Sequence, residues 1–505
     1  LSLSLSLSVS SPVLNTRVLR RIPLAGPPTS KCVAAERRGE HSDYLLEVVC
    51  FPPSSPAPFS PSTRCFVCFS PHPHCMTADV TYFDLPPVFQ VNAVVGQGGY
   101  GAVCRAVVHA PLSPSSSSDA STTSGSQQPP PLATAAAAMP PRTVAIKKIP
   151  QYNKNIDTAK KVYRELRVLK HLQNVAQVVP CHALIRPPPG AGNDVYIVMD
   201  YFPSDLSGVI KSIAPGDLDE EKIRYLVAQL LLGLRGSHKA GIIHRDLSTR
   251  NLLVDAACTL SIADFGLARF FDPEERMSFG VVTQWYRAPE VLTDAKYDAK
   301  IDVWSAGVTM AELFIRGHLF AGKPNDLVDQ LNKIMKVVGV PDPSLMRNSE
   351  FILGSSSENA VRYVERVAKQ VAGKNRATLF QPDGPKFVVP MSGEARDLLG
   401  KLLVFNPDER LSADAALRHP WFHAPSVHDF IDDEIRFQDE NVQPFPADAF
   451  HQATATLTDI VGEIERLATP WSPAAEAALF AAFEQQAAQQ AGGGGAPGGV
   501  PVDES

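Results

Sequence analysis

The chain has 505 residues, a formal net charge of −6 and a hydrophobic content of 44%. This length allows two to three domain-sized units with an ordinary packed core. The acidic balance argues against nucleic-acid or membrane partners, which usually require a basic stripe, and no apolar run reaches 18 residues. Eight cysteines are too few for a disulfide scaffold. We therefore expect a protein of the cytoplasm, the nucleus or both.

The first 75 residues differ in character from the rest. The chain begins with a Leu-Ser repeat at Leu1, and its first methionine is Met76. Such a repeat is what a CT-rich DNA repeat gives on translation, so we expect residues 1–75 to be upstream translation or a disordered segment. A targeting peptide is the alternative, because arginines lie among serines. Glu36 and Glu40 oppose it, since such peptides are poor in acids.

Beyond Met76 the composition changes several times along the chain. Residues 88–108 have the pattern of strands around a glycine cluster. Residues 110–141 are rich in Ser, Pro and Ala, and they contain too few large apolar residues to pack, which predicts a disordered insertion. A β-branched strand at 144–146 and a charged helix with one apolar face follow.

From about residue 220 the patterns are mostly helical. Strands first and helices after predict an α+β fold with two lobes, a small antiparallel sheet lobe and a larger helical lobe. The end of the chain consists largely of Ala, Gln, Gly and Pro, which predicts a disordered tail. The predicted bounds are 88–200 for the small lobe, 203–422 for the large lobe, 423–470 for a C-terminal extension and 471–505 for the tail.

The first chemical motif is the cluster Gly96, Gly98, Gly99, Tyr100 and Gly101. Glycines allow backbone N–H groups to approach phosphates, although such a cluster alone is also compatible with any tight turn. A dinucleotide-binding turn would be followed directly by a helix. The residues from Val103 onward have a strand pattern instead, which favours a hairpin that covers phosphates.

Two charged residues follow the glycine cluster. Lys147 lies in the predicted strand, where its ammonium can meet the α- and β-phosphates of a nucleotide. A single lysine in a strand is most often a solvent-exposed charge, so only the neighbouring motifs favour a phosphate-binding role for Lys147. Glu165 lies on the next predicted helix and is suited to hold Lys147 by an ion pair.

A third group of motifs decides the chemistry. His244-Arg245-Asp246 precedes Asn251, and both precede Asp264-Phe265-Gly266. Phosphoryl transfer requires one carboxylate that orients the attacking hydroxyl and oxygen ligands for Mg²⁺. Asp246 fits the first role, and Asn251 and Asp264 fit the second. With a glycine hairpin and a strand lysine upstream, this order predicts a protein kinase that uses ATP and Mg²⁺.

The chain from Val88 to Phe422 resembles the MAP kinases. The resemblance implies a serine/threonine kinase with protein substrates and an upstream activating kinase. It also implies that Glu290 pairs with Arg410 inside the large lobe. Residues 281–284, Val-Val-Thr-Gln, look most like the Nemo-like branch. The segments that carry the likeness are 195–201, 284–290, 301–307 and 405–410.

The same resemblance implies a set of nucleotide-binding residues. Met199 would be the gatekeeper beside adenine, Phe202 would offer hinge backbone, and Asp205 would face the ribose. The segment 443–445 resembles the return of the chain toward the small lobe in this family. The remaining implied ATP-binding residues are Val95, Val103, Ala145, Asp200 and Leu253.

The catalytic loop departs from the family pattern. Serine/threonine kinases usually have a lysine two residues after the catalytic aspartate, and Ser248 occupies that position here. Arg250 is a candidate substitute, because tyrosine kinases commonly have an arginine at its position. A pseudokinase scaffold and a dual-specificity kinase therefore remain as alternatives.

The activation segment departs as well. The position of the family's phosphorylated threonine is Ser278, and the tyrosine position is Gly280. Gln284 replaces an arginine that would contact phosphotyrosine. The basic residues that hold phosphothreonine in the family are all present, so we expect a socket for one phosphate. These residues are Arg164, Arg245 and Arg269.

Overall fold

The protein is described by a computed structural model. Predictions about residues 1–75, about the insertion between 110 and 140, and about Gly99, Tyr100 and Ser278 concern residues that lie outside the described ranges. The described residues are 82–98, 101–109, 141–187, 190, 192–214, 216–270, 284–293, 296–340, 362–364, 366–367, 378–381, 384–446 and 456–492.

The small lobe is built on a six-stranded sheet. Its strands are β1 (Phe89–Gly98), β2 (Gly101–Val108), β3 (Arg142–Ile149), β4 (Cys181–Arg186), β5 (Val195–Asp200) and β11 (Thr469–Pro470). Their order across the sheet is β1-β2-β3-β5-β4-β11. Alternate residues of β2 are buried, as expected for a strand with one face on the core.

One long helix, α1 (Ile156–His171), packs against this sheet. It begins at Asn155, whose side chain accepts a hydrogen bond from Thr158 N at 2.8 Å. Asp157 in the first turn and Lys170 in the last turn both match the helix dipole. The apolar face predicted from the sequence is buried, and Glu165 is buried beside it. The helix therefore presents a carboxylate to the interior of the lobe.

The large lobe is mainly helical. Its central helix α5 is buried at every residue from 301 to 314, because it is apolar on all sides. The elements of this lobe and its extension are β6 (Ser204–Asp205), α2 (Leu206–Ser212), α3 (Glu220–Lys239), β7 (Ile242–Ile243), β8 (Leu252–Val254), β9 (Leu260–Ile262), β10 (Arg269–Phe270), α4 (Pro289–Leu292), α5 (Lys300–Ile315), α6 (Leu327–Val338), α7 (Gly393–Leu402), α8 (Ala413–Leu417), α9 (His428–Asn441) and α10 (Leu457–Leu467). Strands β6, β8 and β9 form one small sheet, and β7 pairs with β10.

A buried ion pair joins α4 to the loop before α8. Arg410 Nη1 and Nη2 lie 2.6 Å and 3.0 Å from the two carboxylate oxygens of Glu290. Both side chains are fully buried. Arg410 also donates to the carbonyl oxygens of Lys300, Val404 and Phe405, so its three remaining N–H protons are satisfied. This is the pair implied by the family resemblance.

The prediction of a disordered tail over 471–505 is wrong for residues 473–492, which form helix α11 (Pro473–Gly492). Alanine is the strongest helix former, and Leu479 and Phe483 lie one turn apart on the face that packs on the small-lobe core. The prediction failed because the composition of this segment does not show that two of its apolar side chains pack against the small-lobe core.

The small lobe also differs from the prediction at its edges. Its sheet is not purely antiparallel, because β11 from the C-terminal extension pairs parallel to β4. The lobe begins before Val88, since Phe83 is part of the buried core and Lys148 Nζ donates to Tyr82 O at 2.6 Å.

None of the helices in the described ranges is long and apolar enough to cross a membrane.

We expect Arg410→Met to lower the free energy of unfolding by about 3–5 kcal/mol, because it leaves the Glu290 charge buried without a partner. Chemical denaturation followed by tryptophan fluorescence measures this change. The double variant Arg410→Met/Glu290→Leu should be more stable than Arg410→Met alone. Arg436→Met, at an arginine that is 74% exposed, is the matched control. Equal stability of Arg410→Met and this control would contradict the prediction.

Candidate active site

The described glycines of the cluster, Gly96, Gly98 and Gly101, lie at the adjoining ends of β1 and β2. The two strands pair antiparallel, with Gly96 opposite Val103 and Gly98 opposite Gly101. Gly101 has φ 147°, and a Cβ on it would lie 2.0 Å from the carbonyl oxygen of Lys148. Only glycine fits such a position. A strand and not a helix follows the glycines, so the motif is a hairpin. Val95, near the end of β1, is exposed.

Lys147 lies between two carboxylates. Its Nζ is 2.6 Å from Glu165 Oε1 and 3.2 Å from Asp264 Oδ1. Burial alone would lower the pKa of Lys147, but the two carboxylates outweigh it and raise the pKa. The ion pair with Glu165 that was expected from the sequence is therefore present, and the lysine is cationic at neutral pH.

The segment 264–267 presents Asp264 to the cleft. Asp264 adopts a left-handed conformation with φ 63°, and its side chain is 52% exposed. Phe265 points the other way and is buried, with its ring centroid 4.8 Å from that of His244. The Lys147 ammonium lowers the pKa of Asp264. The carboxylate is thus charged and open to the cleft.

Asp246 lies in a loop whose backbone is hydrogen-bonded to the buried carboxylate of Asp302. The backbone N–H groups of His244 and Arg245 donate to Asp302 at 2.8 Å and 2.9 Å. Arg245 has φ 70°, a conformation that costs free energy in a non-glycine residue and needs such support. The sequence motifs alone gave Asp302 no predicted role. A carboxylate at the start of an otherwise apolar helix was the available signal.

The side chains of Asp246 and Asn251 lie together. Asn251 Nδ2 donates to the backbone oxygen of Asp246 at 2.7 Å and lies 3.4 Å from its Oδ2. Burial raises the pKa of Asp246 to about 6, and the nearby Asp264 charge acts in the same direction. A carboxylate with this pKa is suited to accept a hydrogen bond or a proton from a hydroxyl near neutral pH.

The donor set of the cleft fits Mg²⁺. Asn251 uses its amide nitrogen for Asp246, which leaves its side-chain oxygen as an acceptor, and Asp264 offers an exposed carboxylate. Mg²⁺ is usually bound by one or two carboxylate or amide oxygens together with phosphate oxygens and water. Among the described residues no group of three or more His, Cys, Asp or Glu is arranged for a metal ion. The amide oxygen of Asn251 and the carboxylate of Asp264 are thus the donors that fit Mg²⁺ here.

Several of the predicted nucleotide-binding residues lie on β3, β5, β6 and β8 and in the segment after β5. Ala145 pairs with Met199 across the two strands, and Asp200 ends β5 just before Phe202. Asp205 pairs with Leu253 between β6 and β8. One carboxylate oxygen of Asp205 accepts from Gly208 N at 2.7 Å and caps α2.

The three predicted phosphate-socket arginines lie on different elements. Arg164 is on α1 next to Glu165, and Arg245 is a largely buried residue whose guanidinium lies 5.5 Å from the ring centroid of Tyr297. Arg269 is in β10, which pairs with β7 just before the catalytic loop. Their approach to Ser278 concerns a residue outside the described ranges, so the socket stays a prediction.

The loop after Asp246 is anchored by a residue that the sequence analysis did not single out. Thr249 is buried, and its Oγ1 lies 2.9 Å from Tyr286 OH, which in turn donates to Glu312 Oε2 at 2.7 Å. Ser248 is half-buried and Arg250 is exposed. Thr249 thus fixes the loop while its two neighbours stay accessible.

Gln284 has a structural role in place of the family arginine. It is buried, and its Nε2 donates to the carbonyl oxygens of Lys323 and Asp326 at 2.5 Å and 3.3 Å. An uncharged amide satisfies this buried position without the cost of a buried charge.

Comparisons with known proteins identify the family. The protein kinase domain family matches residues 134–422. Mitogen-activated protein kinase 4 of Arabidopsis thaliana is 40% identical over 332 residues, which cover 65% of this chain and 81% of that protein. Human mitogen-activated protein kinase 13 is 35% identical over 398 residues, or 78% of this chain and 92% of that protein. The stress-activated protein kinase JNK of Drosophila melanogaster is 37% identical over 292 residues, or 57% and 76% respectively.

With the family match covering more than half of the chain and these relatives covered over most of their length, the predicted bilobal α+β fold and the predicted kinase function are confirmed. The chain is an ATP-dependent serine/threonine protein kinase and belongs to the MAP kinase family.

Proposed function

We propose that the cleft lined by the β1–β2 hairpin, Lys147, Asp246 and Asp264 binds ATP with Mg²⁺ and transfers the γ-phosphoryl group to protein hydroxyls. The observation that carries this proposal is the ammonium of Lys147, held within hydrogen-bond distance of both Glu165 and Asp264. This arrangement supports a charged lysine placed for phosphate and a carboxylate placed for a metal ion.

Each catalytic group has a distinct role in this proposal. Asp246 orients the attacking hydroxyl and accepts its proton, and its raised pKa matches that task. Asn251 and Asp264 would hold Mg²⁺, which neutralises charge on the phosphates when bound. Lys147 orients the α- and β-phosphates, while the hairpin glycines allow backbone N–H groups to approach them.

Arg250 is proposed to supply the cation that Ser248 does not. It is exposed at the catalytic loop, only four residues after Asp246, so its guanidinium is free to reach a bound phosphate. No observation on the described residues or the relatives favours the pseudokinase or the dual-specificity alternative.

Activation and partners follow from the family at a coarser level. MAP kinases act on protein substrates and have upstream activating kinases, and we propose both for this chain. We further propose that one phosphate on Ser278 suffices, because Gly280 and Gln284 lack the groups that a second phosphate on tyrosine would require. The cytoplasm or nucleus is the proposed location, supported by the low cysteine content.

The core of the proposal predicts that Asp246→Asn and Asp264→Asn each lower kcat at least about 100-fold, because each removes a group that acts on the transition state. Transfer of labelled phosphate from ATP to a generic protein substrate with Mg²⁺ measures this. Asp255→Asn, at a β8–β9 turn residue away from the cleft, is the control.

The pH profile gives a second readout of the same assignment. The value of kcat/KM for ATP should fall as the pH drops below about 6, because protonation of Asp246 removes the acceptor for the hydroxyl proton. A flat pH profile of kcat/KM down to pH 5 would contradict the role of Asp246. For the metal-ligand assignment, the contradicting result is near-wild-type turnover of Asp264→Asn.

For Arg250 we expect that Arg250→Ala slows transfer roughly 10- to 1000-fold, the range for loss of one charge contact in a transition state. Ser248→Lys in the Arg250→Ala background should restore part of the loss, because it places a cation at the family position. Steady-state kinetics with saturating ATP measures both variants. Unchanged kcat in Arg250→Ala would show that the arginine has no catalytic role.

For the activation segment we expect a serine/threonine phosphatase to inactivate the phosphorylated enzyme and a tyrosine-specific phosphatase to leave it active. Phosphate on Ser278 adds about −1.5 to −2 charge next to the proposed arginine socket and orders the segment. Ser278→Ala should match the dephosphorylated enzyme in kcat. Full activity of Ser278→Ala, or phosphate found only on Thr283, would refute the single-site account.

A further inference from the structure

The carboxylate of Asp200, at the end of β5, is held by groups from three separate elements. Oδ1 lies 2.7 Å from Arg142 Nη2 of β3 and 2.8 Å from His182 Nε2 of β4. Oδ2 accepts from Gln486 Nε2 of α11 at 2.8 Å. The amide oxygen of Gln486 in turn accepts from Arg142 Nη2. The amide nitrogen and the amide oxygen of Gln486 therefore both form hydrogen bonds, and both carboxylate oxygens of Asp200 accept hydrogen bonds.

Helix α11 brings an apolar anchor to the same place. Phe483 is almost fully buried in the small-lobe core beside Val198. The guanidinium of Arg142 lies 4.5 Å from its ring centroid, and the His182 ring centroid lies 4.9 Å from it. Phe483 therefore packs against the two basic side chains that bind Asp200. Gln486 of this helix contacts Asp200 although the two residues are 286 positions apart in the sequence.

Asp200 connects this cluster to the nucleotide cleft. It directly follows Met199, and successive side chains of a strand point to opposite faces of the sheet. Met199 pairs with Ala145, while Asp200 pairs with Val144, whose side chain belongs to the core that α11 covers. A fixed Asp200 side chain on one face thus sets the position of Met199 and of the following backbone on the other face.

The electrostatics of the cluster agree with a fixed carboxylate. Burial alone would raise the pKa of Asp200, but the hydrogen bond and charge of His182, with Gln486 and Arg142, lower it to about 2. The carboxylate stays charged at any physiological pH. Its contacts with α11 are then charge-assisted, and they are stronger than contacts between neutral groups.

We propose that α11 is a positioning element of the nucleotide site: Gln486 and Phe483 fix the Asp200 side chain and thereby the segment 199–202 that receives the adenine. The proposal rests on the proposed ATP-binding function of the cleft. It assigns to the C-terminal helix a role in nucleotide affinity and none in the chemical step. Gln486 is accordingly a positioning residue, because it acts through Asp200.

The test is Gln486→Glu in the full chain, with Gln485→Glu as the matched control. A carboxylate at 486 repels Asp200 and competes for Arg142, whereas residue 485 is exposed on the same helix and receives the same charge. We expect Gln486→Glu to raise KM for ATP and the Kd for a fluorescent ATP analogue by about 5- to 10-fold, the range of a coupling between two sites. The kcat should stay within about twofold of the control, because the chemical groups are untouched.

A second variant separates positioning from a loss of structure. Gln486→Leu keeps the volume of the side chain but cannot donate to Asp200, and it should raise the Kd less than Gln486→Glu does. In the Asp200→Asn background Gln486→Glu should have no further effect on the Kd, since the carboxylate that it repels is gone. Gln486→Glu should still unfold in a single cooperative transition, with a somewhat lower midpoint than Gln485→Glu, because the repulsion from Asp200 acts only in the folded chain.

Three results would overturn the proposal. One is an unchanged Kd in Gln486→Glu, and another is a fall in kcat that accompanies the rise in Kd, which marks a general loss of structure. An additive effect in the Asp200→Asn background is the third. Failure of the wild-type protein to bind the analogue would instead refute the proposed ATP site itself, and the positioning role with it.

Discussion

The carboxylate of Asp302 is the constraint on which the catalytic loop depends. It is buried at the start of the central helix α5, and it accepts hydrogen bonds from the backbone of His244 and Arg245 and from His238. Burial alone would raise its pKa, yet these partners hold the pKa below the ordinary value. A charged anchor in the buried interior of the large lobe thus fixes the strained backbone that carries Asp246. The phosphate-facing groups of the small lobe need a second anchor, and the Lys147–Glu165 pair supplies it by joining the sheet to α1.

The residues that meet in the cleft could be picked out from the sequence because their motifs are local and ordered, and their catalytic roles stay predictions. Asp246, Asn251 and Asp264 follow one another at characteristic spacings, and the strand around Lys147 was recognisable from its β-branched neighbours. The division into a sheet lobe and a helical lobe followed from hydrophobic periodicity. Each of these signals lies within a short stretch of chain, where sequence and structure are directly linked.

What escaped prediction depends on contacts between distant parts of the chain. Helix α11 appeared as a tail because its apolar residues are few, and only a bare sheet face elsewhere in the fold gives Phe483 a place to pack. The parallel pairing of β11 with β4 has no local signature either. Gln284 looks like a departure from a motif in the sequence and Thr249 was not singled out, whereas in the fold both satisfy buried hydrogen-bonding groups.

The contact between Asp200 and Gln486 has a consequence for how the protein is made. The strands of the small lobe leave the ribosome early, but the helix that covers their outer face is among the last parts of the described chain to be synthesised. At roughly 5–20 residues per second, the 286 positions between the two contacting residues correspond to a delay of roughly 15 to 60 seconds. During that time Val144, Ile146 and Val198 present an uncovered apolar surface. The lobe that is made first is therefore the one that is completed last.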